Sequence, residues 1–201
     1  MYFEYGKKEI DHLSKKCKKL GAAIARIGAI ERAINPDLFG ALVESIIGQQ
    51  ISAKAAATVC GRMRDIGGMD MGILHGLPIE QIQACGMSLR KAGYIKGIAD
   101  AAHSGDIDFA AIAGMDDADI IKALSALHGV GIWTAEMLLI FSLSRPNVIS
   151  YGDLAIRRGI MNLYGHKELN RERFNRYAAR YAPYASVASL YLWELSHVHS
   201  L

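Results

Sequence analysis

The sequence predicts an all-α protein, and three observations carry that prediction. Apolar residues recur at helical spacing through most of the chain. Only four prolines occur in 201 residues, while Ala, Leu, Ile and Met are plentiful. No pair of strands and no internal repeat can be found. The most strand-like stretch, PNVIS (146–150), is short and opens on a proline, so it is read as a loop.

The elements follow from apolar spacing and from stop signals. IDHLSKKCKKLGAAIARIG (10–28) is predicted as one helix with a lysine-rich face, broken near Gly21. NPDLFGALVESIIGQQIS (35–52) starts a helix after Asn35-Pro36, read as a cap and first-turn pair, and Gly48 ends or distorts it. SAKAAATVCGRMRDIG (52–67) opens on Ser52 as N-cap. PIEQIQACG (78–86) closes at Gly86, and SLRKAGYIKGIADAAHSG (88–105) opens on Ser88. DDADIIKALSALHG (116–129) ends at Gly129, and VGIWTAEMLLIFSL resumes behind the turn. GDLAIRRGIMNLYG (152–165) is capped by Asp153 and closed by Gly165. Residues 170–198 form two helices divided at Ala182-Pro183.

Chain-level properties narrow the function classes. With 51% apolar and 21% charged residues, the chain is globular rather than disordered. A net charge of +3 permits a polyanionic partner without demanding one. Three widely spaced cysteines, Cys17, Cys60 and Cys85, give neither a disulfide framework nor a cysteine-rich metal centre. The start turns charged after six residues, so no signal peptide is expected. The longest apolar run, IWTAEMLLIFSLS (132–144), is too short to span a bilayer and contains Glu136. The expected setting is the cytoplasm, with no membrane partner.

LHGVGIWTAEM (127–137) is the most informative stretch. Gly129-Val130-Gly131 separates two helical runs, and glycines there permit backbone angles closed to other residues. The second helix aims its unpaired N–H groups and positive dipole end at the turn, which suits a phosphate. A tight corner with no ligand explains the same residues. Twenty-two residues past Gly131 comes SYGDLAIRRG. On local grounds Asp153 is a plain N-cap, with Arg157 and Arg158 on a solvated face.

Together these pieces resemble the helix–hairpin–helix DNA glycosylases. The resemblance rests on Leu-x-Gly-Val-Gly-x-Trp-Thr-Ala (127–135) followed, about twenty residues on, by Gly-Asp-Leu-x-x-Arg. SIIGQQISAKAAATV (45–59) and SLRKAGYIKGIADAA (88–102) are similar to two further family helices. APYASVASLYLW (182–193) resembles the terminal helix of the branch that removes alkylated bases, in the compact 3-methyladenine DNA glycosylase II-like form. The order holds over roughly residues 36–195.

What the resemblance implies can be carried over residue by residue. The chain is expected to be one glycosylase domain over 1–201, made of two packed helical lobes with a DNA-binding cleft between them. Lobe A covers about 38–143 and holds the hairpin; lobe B covers about 1–37 and 144–201. Asp153 is the implied catalytic carboxylate. In bifunctional members a lysine attacks the sugar from the position held here by Trp133, and an indole cannot form a Schiff base. A monofunctional hydrolase without lyase activity is therefore implied. Trp133 becomes a candidate wall for an electron-poor base, or else a core tryptophan. Tyr184 and Met137 join it as candidate pocket residues, with core packing the alternative for Met137. Gly129, Gly131, His128 and Thr134 are the implied DNA contacts of the hairpin. Gln49 and Gln50 are implied at the minor groove, or else form a polar helix end. Backbone carbonyls of Ser125, Leu127 and Val130 match those that hold a sodium or potassium ion in family members. His128 stands where the family usually has a proline, and Ala185 where it often has an arginine. No cysteine follows Cys85, so the iron–sulfur cluster of some members is not expected. Tyr2, Phe3 and Tyr5 either cap the pocket or pin the chain end. The implied partner is damaged double-stranded DNA, bound by a monomer. The alternatives are a same-fold glycosylase for uracil, mismatched or oxidised bases, and a non-catalytic DNA-binding module.

Overall fold

The computed structural model describes residues 1–197, and all of its regular elements are helices. Among the described residues, the nearest approach to a strand is one isolated bridge between Tyr2 and Ala33. PNVIS is irregular, as expected. The chain divides into two compact units. The first comprises Met1–Ile34 and the chain from Leu139 onward; the second is Asn35–Leu138.

In the first unit, α1 (Lys7–Lys16) and α2 (Lys18–Ile27) pack against each other. The break expected at Gly21 falls instead at Cys17, whose extended backbone ends one helix and begins the next. Its Sγ accepts the Leu20 N–H at 3.3 Å, a capping role the sequence reading did not give to a cysteine. Gly21 lies inside α2, where a Cβ would stand 2.9 Å from Ser14. It is a close-approach glycine rather than a helix breaker.

The same unit contains α11 (Leu154–Tyr164), α12 (Arg171–Tyr181) and α13 (Ala185–Leu195). Gly165, left-handed at φ 72°, closes α11, and Asn170 caps α12. Helices α11 and α13 meet so closely that a Cβ on Gly159 would lie 2.0 Å from the Leu192 carbonyl. Two buried serines on α13 hold the incoming chain: Ser186 Oγ accepts the Val148 N–H at 2.9 Å and donates to the Arg145 carbonyl at 2.6 Å. Ser189 Oγ lies 3.2 Å from the Val148 carbonyl. This seam ties down the chain that leads to Asp153. Phe3 is buried and Tyr5 OH accepts the Ile30 N–H, so these two pin the chain end, while Tyr2 stays exposed.

The second unit holds α3 (Leu38–Gly48), α4 (Ala53–Asp65), α5 (Met71–Gly76), α6 (Ile79–Ala84), α7 (Leu89–Ser104), α8 (Phe109–Ile112) and α9 (Asp117–Ser125). The last helix, α10 (Ile132–Phe141), begins in it. Helix α7 is its spine, burying Ala92, Ile95, Ile98 and Ala99 against α3, α5 and α6. Ser52 and Ser88 cap α4 and α7 as expected. The cap expected at Asn35 lies two residues on: Asp37 accepts the Gly40 N–H, and Asn35 accepts the Asp37 N–H in a local turn. Asp37 wins because its Oδ1 reaches an unpaired first-turn donor, whereas Asn35 stands outside the helix. Helix α9 ends at Ser125, before the expected Gly129, and residues 126–129 form the turn. The short helices α5 and α8 were not expected; each is under two turns long and opens on an aspartate cap, Asp70 or Asp108.

Candidate active site

Asp153 ends the seam just described and opens α11. Its side chain is 7% exposed. Oδ1 accepts the N–H groups of Ala155 at 2.8 Å and Ile156 at 2.9 Å. That satisfies first-turn donors and places a negative charge at the positive end of the helix dipole. Oδ2 accepts the Trp193 indole N–H at 3.2 Å. The residue is thus an N-cap through one oxygen and a held carboxylate through the other. The local reading and the reading from family resemblance describe different atoms of one side chain.

Trp193 is the functional candidate that sequence reasoning missed. It lies on α13, half-buried, its ring 5.5 Å from that of Phe141. Its only signal was its place at the end of the 182–193 stretch. Tyr184, expected in the base pocket, is half-buried and packs edge-on against His12 at 5.1 Å, with Lys8 Nζ 6.0 Å from its ring.

The hairpin lies in the second unit. Gly129 has φ +87°, and a Cβ there would stand 2.4 Å from the Tyr94 ring. Glycine is required twice over, by backbone angle and by the ring. Gly131 differs from expectation: its φ is not positive, and a Cβ would meet nothing within 4 Å. Neither backbone angle nor packing demands a glycine there. The expected corner forms through a bond from the Val130 N–H to the Leu127 carbonyl at 3.1 Å, and α10 starts behind it. His128 and Gly131 are exposed.

Gln49 and Gln50 follow the last turn of α3. Gln49 Nε2 donates to the Gly129 carbonyl at 3.0 Å, tying this loop to the hairpin. Gln50 is exposed and sits at φ 60°, a left-handed angle that costs a residue with a Cβ about 1 kcal/mol. Lys91 fastens the loop from below, with Nζ donating to the Ile47 carbonyl at 2.8 Å and the Gln49 carbonyl at 2.5 Å. Burial pulls the Lys91 ammonium below its ordinary pKa. So Gln49 is a structural tie, while Gln50 is the side chain presented outward.

Trp133 is 45% exposed, so it is not a core tryptophan. Met137, one turn later on α10, is half-buried. Thr134 is only 4% exposed. Its backbone N–H, in the first turn of α10, is of the kind that faces a phosphate. Among the described residues, no group of three His, Cys, Asp or Glu side chains is placed to hold a metal. Among the described residues, no helix is long and apolar enough to cross a membrane.

Comparison with known proteins adds a family. The model of the HhH-GPD superfamily of base excision DNA repair proteins matches residues 43–183. DNA-3-methyladenine glycosylase 1 of Schizosaccharomyces pombe is 32% identical over 161 residues, covering 77% of this chain and 71% of its own. The crystal structure of a DNA-3-methyladenine glycosidase from Bacillus halodurans superposes with a TM-score of 0.87 at 34% identity, over 98% of this chain and 93% of that one. The S. pombe enzyme Mag1, solved with abasic DNA, gives a TM-score of 0.81 at 28% identity, over 96% of this chain and 98% of its own.

Proposed function

The chain belongs to the HhH-GPD superfamily of base excision DNA repair proteins, and from that premise we propose that it is a monofunctional glycosylase releasing alkylated bases such as 3-methyladenine from double-stranded DNA. The observation that carries this reading is the Asp153 side chain, fixed at both oxygens by Ala155, Ile156 and Trp193.

The chemistry asks little of an acid. An N3-alkylated adenine in DNA is cationic, so it departs with the glycosidic electron pair as a neutral base. Positive charge develops on the sugar as the N9–C1′ bond breaks. A carboxylate held in place before the reaction stabilises that charge without reorganising. Water then adds at C1′ and its surplus proton leaves through Asp153 or solvent. The target nucleotide must first leave the stack. Trp133 supplies an exposed indole for the cationic base, with Met137 one turn later on the same helix. Gln50, on its constrained backbone, fills the space left in the duplex.

The hairpin takes a backbone phosphate on the N–H groups of Gly129, Gly131 and Thr134, with His128 beside it. The Leu127 carbonyl accepts one N–H and keeps a second lone pair, and neutral backbone oxygens suit a monovalent cation. Sodium or potassium on the carbonyls of Ser125, Leu127 and Val130 would add positive charge beside that phosphate. No iron–sulfur cluster enters this scheme. The protein acts as a monomer in the cytoplasm, and it lacks lyase activity because Trp133 occupies the lysine position.

The test is base release from duplexes carrying 3-methyladenine, uracil, 8-oxoguanine or a mismatch, with borohydride present in parallel. The reading predicts release of the alkylated base and no covalent protein–DNA adduct. Release of uracil or 8-oxoguanine alone moves the chain to another substrate class, an adduct overturns the monofunctional assignment, and DNA binding with no release leaves a binding module.

A further inference from the structure

Two residues before Asp153, the ring of Tyr151 gathers two cations. The Arg157 guanidinium lies 4.9 Å from its centroid and that of Arg171 lies 4.6 Å away. Phe174 meets the same ring edge-on at 5.1 Å and 78°, fixing its plane. Arg157 stands on α11 one turn after Asp153, and Arg171 is the first residue of α12. All five belong to the first unit.

The group is electrostatically incomplete. Two guanidiniums repel across one ring, and a ring face attracts each of them only weakly. Among the described residues, neither arginine has a carboxylate within ion-pair distance. The buried Nε of Arg157 has no hydrogen-bond partner there either, and a buried donor left unpaired is costly unless a ligand completes it. The planar forks of two arginines match the oxygens of a phosphodiester, which can take paired N–H donors from each.

We propose that Tyr151, Arg157 and Arg171 form a second phosphate clamp, separate from the hairpin, which grips the DNA backbone beside the nucleotide presented to Asp153. Arg157 and Asp153 are one helical turn apart, so a phosphate on the clamp holds its sugar within reach of the carboxylate. The inference rests on the DNA-binding part of the reading above and not on base release.

The test is fluorescence anisotropy of the full chain on a duplex carrying a stable abasic analogue, titrated across a salt series. Each neutralised phosphate contact contributes about 0.9 to the slope of log affinity against log salt. Arg157→Gln and Arg171→Gln are each expected to lower that slope by about 0.9, while Arg171→Lys, which keeps the charge, restores it. Arg176→Gln, an exposed arginine on the same helix, is expected to leave the slope in place. Should Arg157→Gln not fold, the exposed Arg171 decides the matter. Unchanged slopes in both glutamine variants overturn the clamp, and so does an equal drop for Arg176→Gln. If inorganic phosphate raises the melting temperature of the wild type but not of Arg171→Gln while the DNA slopes stay unchanged, the site takes a free anion and the DNA assignment falls. A chain that shows the expected slopes yet frees no alkylated base refutes the glycosylase reading and leaves the clamp intact.

Discussion

Asp153 divides its two carboxylate oxygens between separate partners. Capping α11 uses Oδ1 alone, and Oδ2 is turned over to the Trp193 indole. A hydrogen bond to a charged group is worth about 1.5–3 kcal/mol, and this one fixes the direction of Oδ2. Trp193→Phe keeps a ring against Phe141 and removes only the N–H. It is expected to slow single-turnover base release about 10- to 100-fold, the kinetic equivalent of that bond, while the melting temperature moves by a few degrees at most. An unchanged rate would remove Trp193 from the positioning of Asp153. Asp153 was legible as a cap from its place before the LAIRRG run, and as a candidate from its distance to the hairpin motif. Trp193 was not, because forty residues separate the two and no local pattern joins them.

Among the elements, the hairpin separates its two glycines. Gly129→Ala must place a methyl against the Tyr94 ring at a positive φ, and is expected to cost about 2 kcal/mol or more in chemical denaturation. Gly131→Ala meets open space at an ordinary φ and is expected to stay within about 0.5 kcal/mol of wild type. Its loss should fall on DNA affinity, because the methyl would stand beside the backbone N–H groups proposed to take a phosphate. Equal stability of the two variants would contradict this division. Helix starts were legible at the oxygen caps Ser52, Ser88 and Asp153, but not at Asp70 and Asp108, where the helices are too short to show apolar periodicity. They were misplaced where a sulfur caps, at Cys17, and where two candidate caps lie two residues apart, at Asn35 and Asp37. The Lys91 tie to Ile47 and Gln49 joins chain segments more than forty residues apart and left no trace in local spacing.

For the whole molecule, helical composition and the order of the motifs sufficed to expect an all-α chain of this family, and both stand. The two units divide after Ile34 and after Leu138. The second division falls inside α10, where continuous apolar spacing gives no boundary signal. What spacing cannot convey is which side chains meet in space, and the account of catalysis depends on one such meeting. The decisive measurement is therefore single-turnover release of 3-methyladenine from duplex DNA by wild type and by Asp153→Asn, with DNA affinity measured alongside. The amide oxygen can still cap α11, so the variant should fold and bind, although its NH2 now opposes the Trp193 N–H. The account predicts release by wild type and a loss of about 100-fold or more in the variant at unchanged affinity, the scale expected when fixed charge is withdrawn from a developing cation. A variant that binds DNA and releases the base at the wild-type rate would contradict it.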